Sequence, residues 1–327
     1  MSSRLKHRLV NEKYEDPGML LEVPQLGDYI LFDIGNIYKI DRPTIKKISK
    51  VFITHTHMDH FIGFDYLLRL KLGKEQIVEM FGIYPLAENV YHKLQGYTWN
   101  LVESEPQIIF KVKQYKNGYF YHYQFDIKKK FQKEFLKREK AKNNIIHENQ
   151  DYYVKFAVLD HKIPVLGYAF KMKDKLLLKK EKIKELPLKG KQIGKFKEFL
   201  TNEKNKGKTF KIGDKEFTWE FLREEYAYIQ QGEKISYITD VIGSEENIKK
   251  IVNLVKDSDT LYCEAVFLEE DKEQAKKVYH LTTREAAKIA ELANVKNLVV
   301  FHFSRRYGMS TEPILSEVKK YFKGEVS

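Results

Sequence analysis

Short apolar runs alternate with segments of helical periodicity along most of the chain. The run at residues 51–53 is β-branched and aromatic and precedes polar residues, which predicts a buried strand. Residues 63–72 instead repeat apolar side chains at helical spacing, which predicts a helix. The loop between them reads HTHMDH. The alternation continues to the end of the chain and indicates an α/β fold.

The remaining elements are predicted from the same periodicities and from caps and turns. Asn117 and Gly118 separate two strand patterns and predict a hairpin turn. Thr282 and Glu285 have the spacing of a capping box, and Ser244 opens another helix. The other predicted strands are 29–32, 77–81, 108–112, 119–125, 152–159, 167–171, 235–239, 261–267 and 298–301. The other predicted helices are 43–50, 85–94, 244–255, 282–293 and 312–322.

Two lysine-rich segments interrupt this pattern. Residues 128–142 are charged and have little apolar stripe, which favours an exposed helix or a mobile insertion. Residues 173–213 contain few apolar side chains, so we interpret them as an inserted arm rather than core. The sequence therefore predicts a single domain over residues 1–327 that carries an arm at 173–213.

The net charge of +12 is concentrated in these regions. Residues 111–142 contain 11 Lys and Arg against 3 Asp and Glu, and residues 171–210 contain 14 lysines against 5 acids. A concentrated positive surface suits a polyanion such as nucleic acid, because phosphate contacts dominate such binding. Genome bias, or the charged surface of a thermophile, explains the same composition equally well. Charge alone leaves both interpretations open.

Composition also bears on the cellular compartment. The chain has no apolar stretch of about 18 uncharged residues, and MSSRLKHRLV lacks the apolar run of a secretory signal. Cys263 is the single cysteine, which excludes an intrachain disulfide. We therefore expect a cytoplasmic protein without a membrane partner.

The candidate chemistry lies at the ends of predicted strands. HTHMDH contains three of the chain's ten histidines together with an aspartate. Imidazole and carboxylate ligands suit zinc and related divalent ions, and two adjoining sets of them suggest two ions. Residues of the same types follow other predicted strands, namely Asp33, His161, Asp240 and His302. Each alone has a simpler explanation as a turn former or a surface residue, and their common position is what predicts a metal centre.

Four blocks of the sequence resemble the metallo-β-lactamase superfamily, and within it the ribonuclease Z branch. They read FITHTHMDH, AVLDHKIPVLGYAF, ISYITDV and YHLTTREAAKIAELANVKNLVVFHFSRRY. The resemblance implies an αββα sandwich with a centre of two divalent ions, zinc by preference, although Mn²⁺ and Fe²⁺ tolerate the same ligands. The ligands implied for one ion are His55, His57 and His161. The ligands implied for the other are Asp59, His60 and His302, with Asp240 as the bridge.

The resemblance also implies catalytic roles. A hydroxide shared by the two ions would attack an RNA phosphodiester, and Asp59 would orient this nucleophile or deprotonate the water that forms it. His280, held by Glu264, would protonate the leaving alkoxide, with a surface histidine at a helix start as the alternative interpretation. The residues that would bind substrate phosphate are Ser304, Arg305 and Arg306. The implied activity is 3′ processing of precursor tRNA, with the arm gripping the RNA, and dimers are common in this family.

Several features depart from the family pattern. Cys263 stands where the family's HEAT motif begins with histidine, and Val266 replaces its threonine. The arm, ELPLKGKQIGKFK, has one proline where the family's arm is rich in Gly-Pro, and FDIGN lacks the usual CGEG run. These departures concern the substrate more than the metal chemistry. The alternatives are therefore hydrolysis of a small phosphodiester such as a cyclic nucleotide, hydrolysis of an ester or lactone, and a non-catalytic RNA-binding scaffold.

Overall fold

The structure is a computed structural model that describes residues 5–102 and 105–327. It divides into two compact units. The larger unit contains the described residues up to Asn149, together with Tyr153–Lys171 and Lys234–Ser327. The smaller unit contains Gln150–Tyr152 and Met172–Glu233. Within the described ranges, no helix combines the length and apolar character needed to cross a membrane.

The elements are numbered in chain order. The strands are β1 (Lys6–Leu9), β2 (Met19–Val23), β3 (Asp28–Phe32), β4 (Ile48–Phe52), β5 (Gln76–Ile83), β6 (Ile108–Lys116), β7 (Tyr119–Asp126), β8 (Lys133–Lys140), β9 (Ile145–Glu148), β10 (Tyr152–Asp160), β11 (Pro164–Met172), β12 (Lys175–Leu178), β13 (Thr209–Ile212), β14 (Lys215–Thr218), β15 (Ala227–Gln230), β16 (Lys234–Ile238), β17 (Thr260–Glu264), β18 (Asn297–Phe301) and β19 (Glu325–Val326). The helices are α1 (Arg42–Lys47), α2 (Met58–Phe61), α3 (Phe64–Lys71), α4 (Leu86–Gln95), α5 (Lys180–Lys184), α6 (Lys191–Thr201), α7 (Trp219–Tyr226), α8 (Glu245–Val255), α9 (Lys272–Val278), α10 (Thr283–Leu292) and α11 (Glu312–Tyr321).

Two large sheets form the centre of the larger unit. The first has eight strands in sequential order from β1 to β8, and β3 to β6 run parallel to one another. The second has the order β19-β18-β17-β16-β11-β10-β9, and β16 to β19 run parallel. Parallel strands need helical crossovers, and the predicted helices supply them. The parallel halves of both sheets therefore consist of alternating strand and helix, as the sequence pattern predicts.

The two sheets face each other across an aromatic core. Phe32 and Phe52 of the first sheet stack with 5.1 Å between ring centroids. Tyr168 and Tyr237 of the second sheet approach these rings at 5.6 and 6.0 Å. Helices α1, α3 and α4 cover the outer face of the first sheet, and α8, α10 and α11 cover that of the second. The layers are helix, sheet, sheet and helix, which confirms the predicted αββα sandwich.

Local signals for turns and caps were read correctly from the sequence. Asn117 and Gly118 join β6 to β7 with φ of 49° and 83°, as a two-residue hairpin turn with positive φ at both positions requires. Thr282 and Glu285 form the reciprocal capping box of α10. Ser244 caps α8 by accepting a hydrogen bond from a backbone amide in its first turn. Each of these signals depends only on neighbouring residues.

The prediction of a helix or mobile insertion at residues 128–142 is wrong. Most of this segment forms β8, which pairs antiparallel with β7 at the edge of the first sheet. Exposed side chains occur on both faces of β8. The strand therefore lacks the alternation of apolar and polar residues by which a half-buried strand is recognised. Pairing with β7, rather than local pattern, accounts for its structure.

The smaller unit has an apolar core of its own, which corrects the interpretation of 173–213 as an arm without core. Two-stranded sheets β12-β15 and β13-β14 accompany its helices. Phe196 and Leu200 share one face of α6 because they are four residues apart. The buried apolar residues are Leu176, Ile183, Phe196, Leu200, Ile212, Trp219, Leu222 and Ala227. Three of these lie beyond residue 213, so the predicted boundary divides a unit that continues to Glu233.

Phe196→Ala should destabilise the smaller unit by about 3–5 kcal/mol, the usual effect of truncating a buried phenylalanine. Its ring is fully buried and lies 5.4 Å from Phe210 and 6.0 Å from Tyr226 between centroids. Limited proteolysis should then cut faster within residues 172–233, while metal content measured by elemental analysis stays the same. Phe221→Ala is the control because that ring is 48% exposed. Equal proteolysis of the two variants would contradict an independent core.

Candidate metal centre

The candidate ligands lie where strands of the larger unit end. The carboxyl ends of parallel strands share one edge of a sheet, and loops there can bring distant residues together. His161 lies in the tight turn between β10 and β11, where its amide donates to the Ile163 carbonyl at 3.0 Å. The residues at or just past the ends of parallel strands are Asp33 after β3, His55 to His60 after β4, Asp240 after β16, Glu264 at the end of β17 and His302 after β18.

Three strand-end residues adopt left-handed backbone conformations. The φ angles are 56° at Asp33, 53° at Asp240 and 62° at His302. Residues with a Cβ rarely adopt this region, and such conformations persist only where the surrounding structure enforces them. The chain turns sharply at each position. The side chain then leaves the direction of the strand and faces the other candidate ligands.

Gly35 and Gly63 allow the HTHMDH segment to approach the end of β3. A Cβ on Gly35 would lie 2.3 Å from the Asp59 carbonyl oxygen. A Cβ on Gly63 would lie 2.2 Å from the Gly35 carbonyl oxygen. Both distances are far inside van der Waals contact, so any side chain would force the backbones apart. Glycine at these positions therefore permits the placement of Asp59 and His60.

One group of potential ligands consists of His55, His57, His161 and Asp240. One donor atom from each lies within 4.8 Å of the others. Asp240 Oδ2 is 3.7 Å from His55 Nε2 and 3.4 Å from His161 Nε2. The rings of His55 and His57 are 4.3 Å apart between centroids. The HxH spacing therefore turns both imidazoles toward one position.

A second group consists of Asp59, His60 and His302. His60 Nε2 lies 3.4 Å from Asp59 Oδ2 and 3.4 Å from Asp240 Oδ1. His302 Nε2 lies 3.5 Å from Asp59 Oδ2, and its Nδ1 lies 3.2 Å from Asp240 Oδ1. Asp240 thus presents Oδ2 to the first group and Oδ1 to the second. Its carboxylate lies between the two groups.

Glu264 and His280 lie beside these groups and bond to each other. They form a further set with Asp240 and His302, in which the donor atoms are within 4.8 Å. Glu264 accepts hydrogen bonds from His280 Nδ1 and from the backbone amides of Asp240, Val241 and Leu281. These bonds occupy both carboxylate oxygens. Glu264 therefore orients His280 and the Asp240 turn.

Hydrogen bonds from behind the cluster orient its imidazoles. His60 Nδ1 donates to Asp33 Oδ2 at 2.8 Å, and the Thr54 hydroxyl donates to the same carboxylate. His161 Nδ1 donates to the Tyr279 carbonyl oxygen at 2.7 Å. Fixing Nδ1 in this way leaves Nε2 for a ligand, a common arrangement in metal sites. The sequence indicated Asp33 by its place at a strand end, but nothing in it identified Thr54 or Tyr279.

Buried nitrogen atoms in the cluster fit a divalent cation. His55 Nε2 and His60 Nε2 are buried and have no hydrogen-bond partner among the described residues. Leaving a buried polar atom unpaired is costly. Burial lowers the pKa of His55 to about 2, so its imidazole is neutral and its lone pair is available. Neutral imidazoles beside carboxylates are the ligands that zinc and related ions prefer.

The electrostatics of the cluster are dominated by its carboxylates. Burial disfavours a charged His302, but Asp240 and Asp59 outweigh this and raise its pKa to about 10. Burial likewise opposes a charged Glu264, but His280 lowers the pKa of that carboxyl to about 2. The pKa of Asp240 is well below its usual value despite burial, because His60 and His302 stabilise the carboxylate. The acids are therefore ionised and attract positive charge.

The residues predicted to bind phosphate follow His302 directly. Ser304 Oγ accepts a hydrogen bond from the Arg306 amide at 3.4 Å. Arg306 pairs with Asp271 at 2.9 Å. Arg305 Nε donates to the Tyr14 carbonyl at 3.5 Å. These contacts occupy only part of the two guanidinium groups, and phosphate binding here stays a prediction.

Solved structures of similar fold identify the class of protein. The chain is similar to a metallo-beta-lactamase fold protein from Bacillus subtilis, with a TM-score of 0.57, 14% identity and coverage of 98% of this chain and 95% of the other. A long form RNase Z from yeast has a TM-score of 0.51 and 14% identity, and covers 93% of this chain and 38% of the yeast chain. These likenesses show that the chain has the metallo-β-lactamase class of fold.

Sequence relatives identify the family within that class. Ribonuclease Z from Prochlorococcus marinus strain MIT 9515 is 31% identical over 316 residues, which cover 93% of this chain and 88% of the relative. Ribonuclease Z from Chlamydia trachomatis serovar D is 28% identical over 303 residues, which cover 90% and 84%. No family model matches the chain. The chain belongs to the ribonuclease Z family, which confirms the resemblance found in its motifs.

Proposed function

We propose that the chain is a dinuclear metal-dependent endoribonuclease that removes the 3′ trailer of precursor tRNA. The position of Asp240 carries the proposal, because its two oxygens face two separate groups of ligands. A bridging carboxylate of this kind suits two ions better than one. The ribonuclease Z relatives support the choice of RNA as substrate.

The proposed ligands are divided as the two groups suggest. One ion would be held by His55, His57 and His161, the other by Asp59, His60 and His302, and both by Asp240. These nitrogen and oxygen donors suit zinc, and they also tolerate manganese or iron. When bound, two such ions supply Lewis-acid stabilisation of phosphoryl oxygens and activate water at neutral pH.

The side chains of the protein would position the substrate and move protons. Asp59 is 40% exposed and lies at the open side of the cluster, where its carboxylate can accept a proton from the attacking water. His280 is held through Nδ1 by Glu264 at 2.9 Å, which leaves Nε2 to donate a proton to the leaving oxygen. Glu264 is itself oriented by three backbone amides, so the imidazole is held by a rigid partner.

A cleavage assay with precursor tRNA tests the proposal. Purified protein should cut a precursor near the discriminator base, and a chelator should abolish the cut. Cleavage of a chromogenic phosphodiester together with indifference to precursor tRNA would favour the alternative of a small phosphodiester. RNA binding without turnover in any metal would favour a non-catalytic scaffold.

We further expect a cytoplasmic homodimer. Sedimentation of the purified protein tests its oligomeric state.

Replacing the smaller unit should weaken RNA binding but leave the hydrolysis of a small phosphodiester largely unchanged. The Met172 amide donates to the Glu233 carbonyl at 3.0 Å, so a short Gly-Ser turn can join the two positions in place of residues 173–232. Residues 173–210 alone contain 13 lysines, whose loss should raise KM for precursor tRNA by roughly tenfold or more. The rate on a chromogenic phosphodiester should change little. An unchanged KM for precursor tRNA would show that this unit does not grip RNA.

A further inference from the structure

Aromatic and cationic side chains alternate along one face of β5 to β8. Lys116 lies directly opposite Tyr119 in the ladder, and Tyr119 lies opposite Lys140. Tyr121 and Arg138 are paired one step further along on the same face. We call these residues, with Tyr84 at the end of β5, the edge platform: Tyr84, Lys116, Tyr119, Tyr121, Arg138 and Lys140.

The edge platform faces away from the core between the sheets. Phe120, on the opposite face of β7, is buried and lies 5.8 Å from Phe156 of the second sheet. The platform side chains are accessible instead, with Tyr84 43% and Tyr119 37% exposed. Large exposed aromatic side chains in a group mark a surface that meets a partner. Core packing therefore does not account for these rings.

Cations of the platform lie over its rings. Lys116 Nζ is 3.6 Å from the centroid of the Tyr84 ring. The Arg138 guanidinium carbon is 4.7 Å from the centroid of the Tyr119 ring. These contacts hold rings and positive charges in alternation. Bases and phosphates alternate in the same way along a single strand of nucleic acid.

The acidic side chains of this part of the chain are engaged elsewhere. Glu139 lies on the opposite face, where it pairs with Lys113 at 3.2 Å and with Lys137 at 2.7 Å. Glu134 pairs with Lys129 at 2.8 Å. None of these ion pairs involves Lys116, Arg138 or Lys140, so their positive charge remains on the platform face. That charge complements a phosphate backbone.

The platform lies along the same edge of the sheet as the metal cluster. Strands β4, β5 and β6 are parallel, so Tyr84 and Lys116 lie at the same edge as His55. At about 4.8 Å per strand, the row from β5 to β8 runs roughly 5 to 20 Å beyond β4. Asn89 of α4 also donates to the Thr56 hydroxyl at 2.7 Å, which ties the helix after Tyr84 to the metal loop. A few unpaired nucleotides leaving the cluster would reach the platform.

We propose that the edge platform binds unpaired nucleotides of the RNA substrate on one side of the scissile phosphate. The tyrosine rings stack on bases, and Lys116, Arg138 and Lys140 contact the phosphates between them. Only unpaired nucleotides offer a free base face to a ring, because bases in a duplex are stacked on each other. The inference rests on the proposed function, since it names the part of an RNA substrate that this surface recognises.

Binding of a labelled, unpaired oligoribonucleotide tests the inference. Fluorescence anisotropy is measured in an Asp240→Asn background, so that the RNA is not cut during the measurement. Tyr119→Ala with Arg138→Ala should weaken binding by about tenfold or more, because stacking and a phosphate contact are both lost. The slope of log affinity against log salt should fall by about 0.7 for the lost cation. Tyr119→Phe should keep the binding, which separates loss of stacking from loss of folding.

The matched control is a second tyrosine–arginine pair on α10 and α11. The Arg284 guanidinium lies 5.5 Å from the Tyr321 ring, and Tyr321 is 41% exposed. Arg284→Ala with Tyr321→Ala should leave RNA binding unchanged. The inference is overturned if the two double variants bind unpaired RNA equally, or if the platform variant loses affinity for blunt duplex RNA to the same extent. If the platform variant binds unpaired RNA more weakly but the native protein leaves precursor tRNA uncut, the inference about the platform stands. Only precursor tRNA as the proposed substrate is then ruled out.

Discussion

Asp240→Asn should leave a folded protein that binds fewer than two metal ions per chain and hydrolyses phosphodiesters at least roughly 100-fold more slowly. The carboxylate oxygens lie 3.2 to 3.7 Å from ligand nitrogens of both groups. Asparagine keeps the shape but turns an amide nitrogen toward one group, where it repels a cation. The expected loss exceeds the 10- to 100-fold that follows removal of an outer partner of a metal ligand.

Elemental analysis of the purified variant measures the metal content directly. Asp257→Asn is a matched control, because Asp257 has a similar left-handed backbone, with φ of 56° against 53° at Asp240. Its carboxylate accepts a hydrogen bond from Asn294 at 2.8 Å and belongs to none of the ligand groups. The control should keep both its metal and its activity. Full metal retention in Asp240→Asn would contradict the bridging role.

His280→Ala should slow cleavage of substrates with a poor leaving group by about 10²- to 10⁴-fold, the usual contribution of a general acid. The imidazole is held by Glu264 at 2.9 Å, close to His161 and His302, whose ring centroids are 4.9 and 5.4 Å away. A nitrophenyl phosphodiester needs little protonation of its leaving group. The rate on that substrate should therefore fall much less than the rate on RNA.

The comparison of two substrates separates catalysis from structure. Equal losses on RNA and on the nitrophenyl phosphodiester would show that His280 only supports the site. Elemental analysis of His280→Ala should find the metal content unchanged. A loss of metal from this variant would show that His280 is a ligand. His92→Ala is the control, since His92 is an exposed histidine on α4. That variant should match the native rate on both substrates.

Most of the fold follows from patterns that neighbouring residues carry. Alternating strand and helix signals recur through the parallel halves of both sheets, and their order leaves few ways to cover two sheets with helices. The edge strand β8 escaped prediction because its side chains are exposed on both faces. The core of the smaller unit escaped it because the buried residues are few, widely spaced and surrounded by lysines.

The candidate ligands of the site were also predictable from local patterns in the sequence. Residues such as His161 and Asp240 follow strand patterns, and resemblance to a known family grouped them into ligand sets. The hydrogen bonds that orient them were not predictable, although Asp33 itself was indicated by its place at a strand end. Asp33 and Thr54 are held against His60 by contacts across parallel strands. The carbonyl of Tyr279 that receives His161 comes from a turn with no sequence signal of its own.

HTHMDH, the strand-end residues and the lysine-rich segments can all be recognised from residue type and spacing alone, because strand and turn propensities act over a few residues. Strand pairing and the packing of the two sheets decided the rest. Packing placed one oxygen of Asp240 toward each ligand group. Pairing within each sheet enclosed Glu264 among backbone amides and aligned the edge platform with the metal cluster. Those relations join residues far apart in the chain, and only the tertiary structure sets the distances between them.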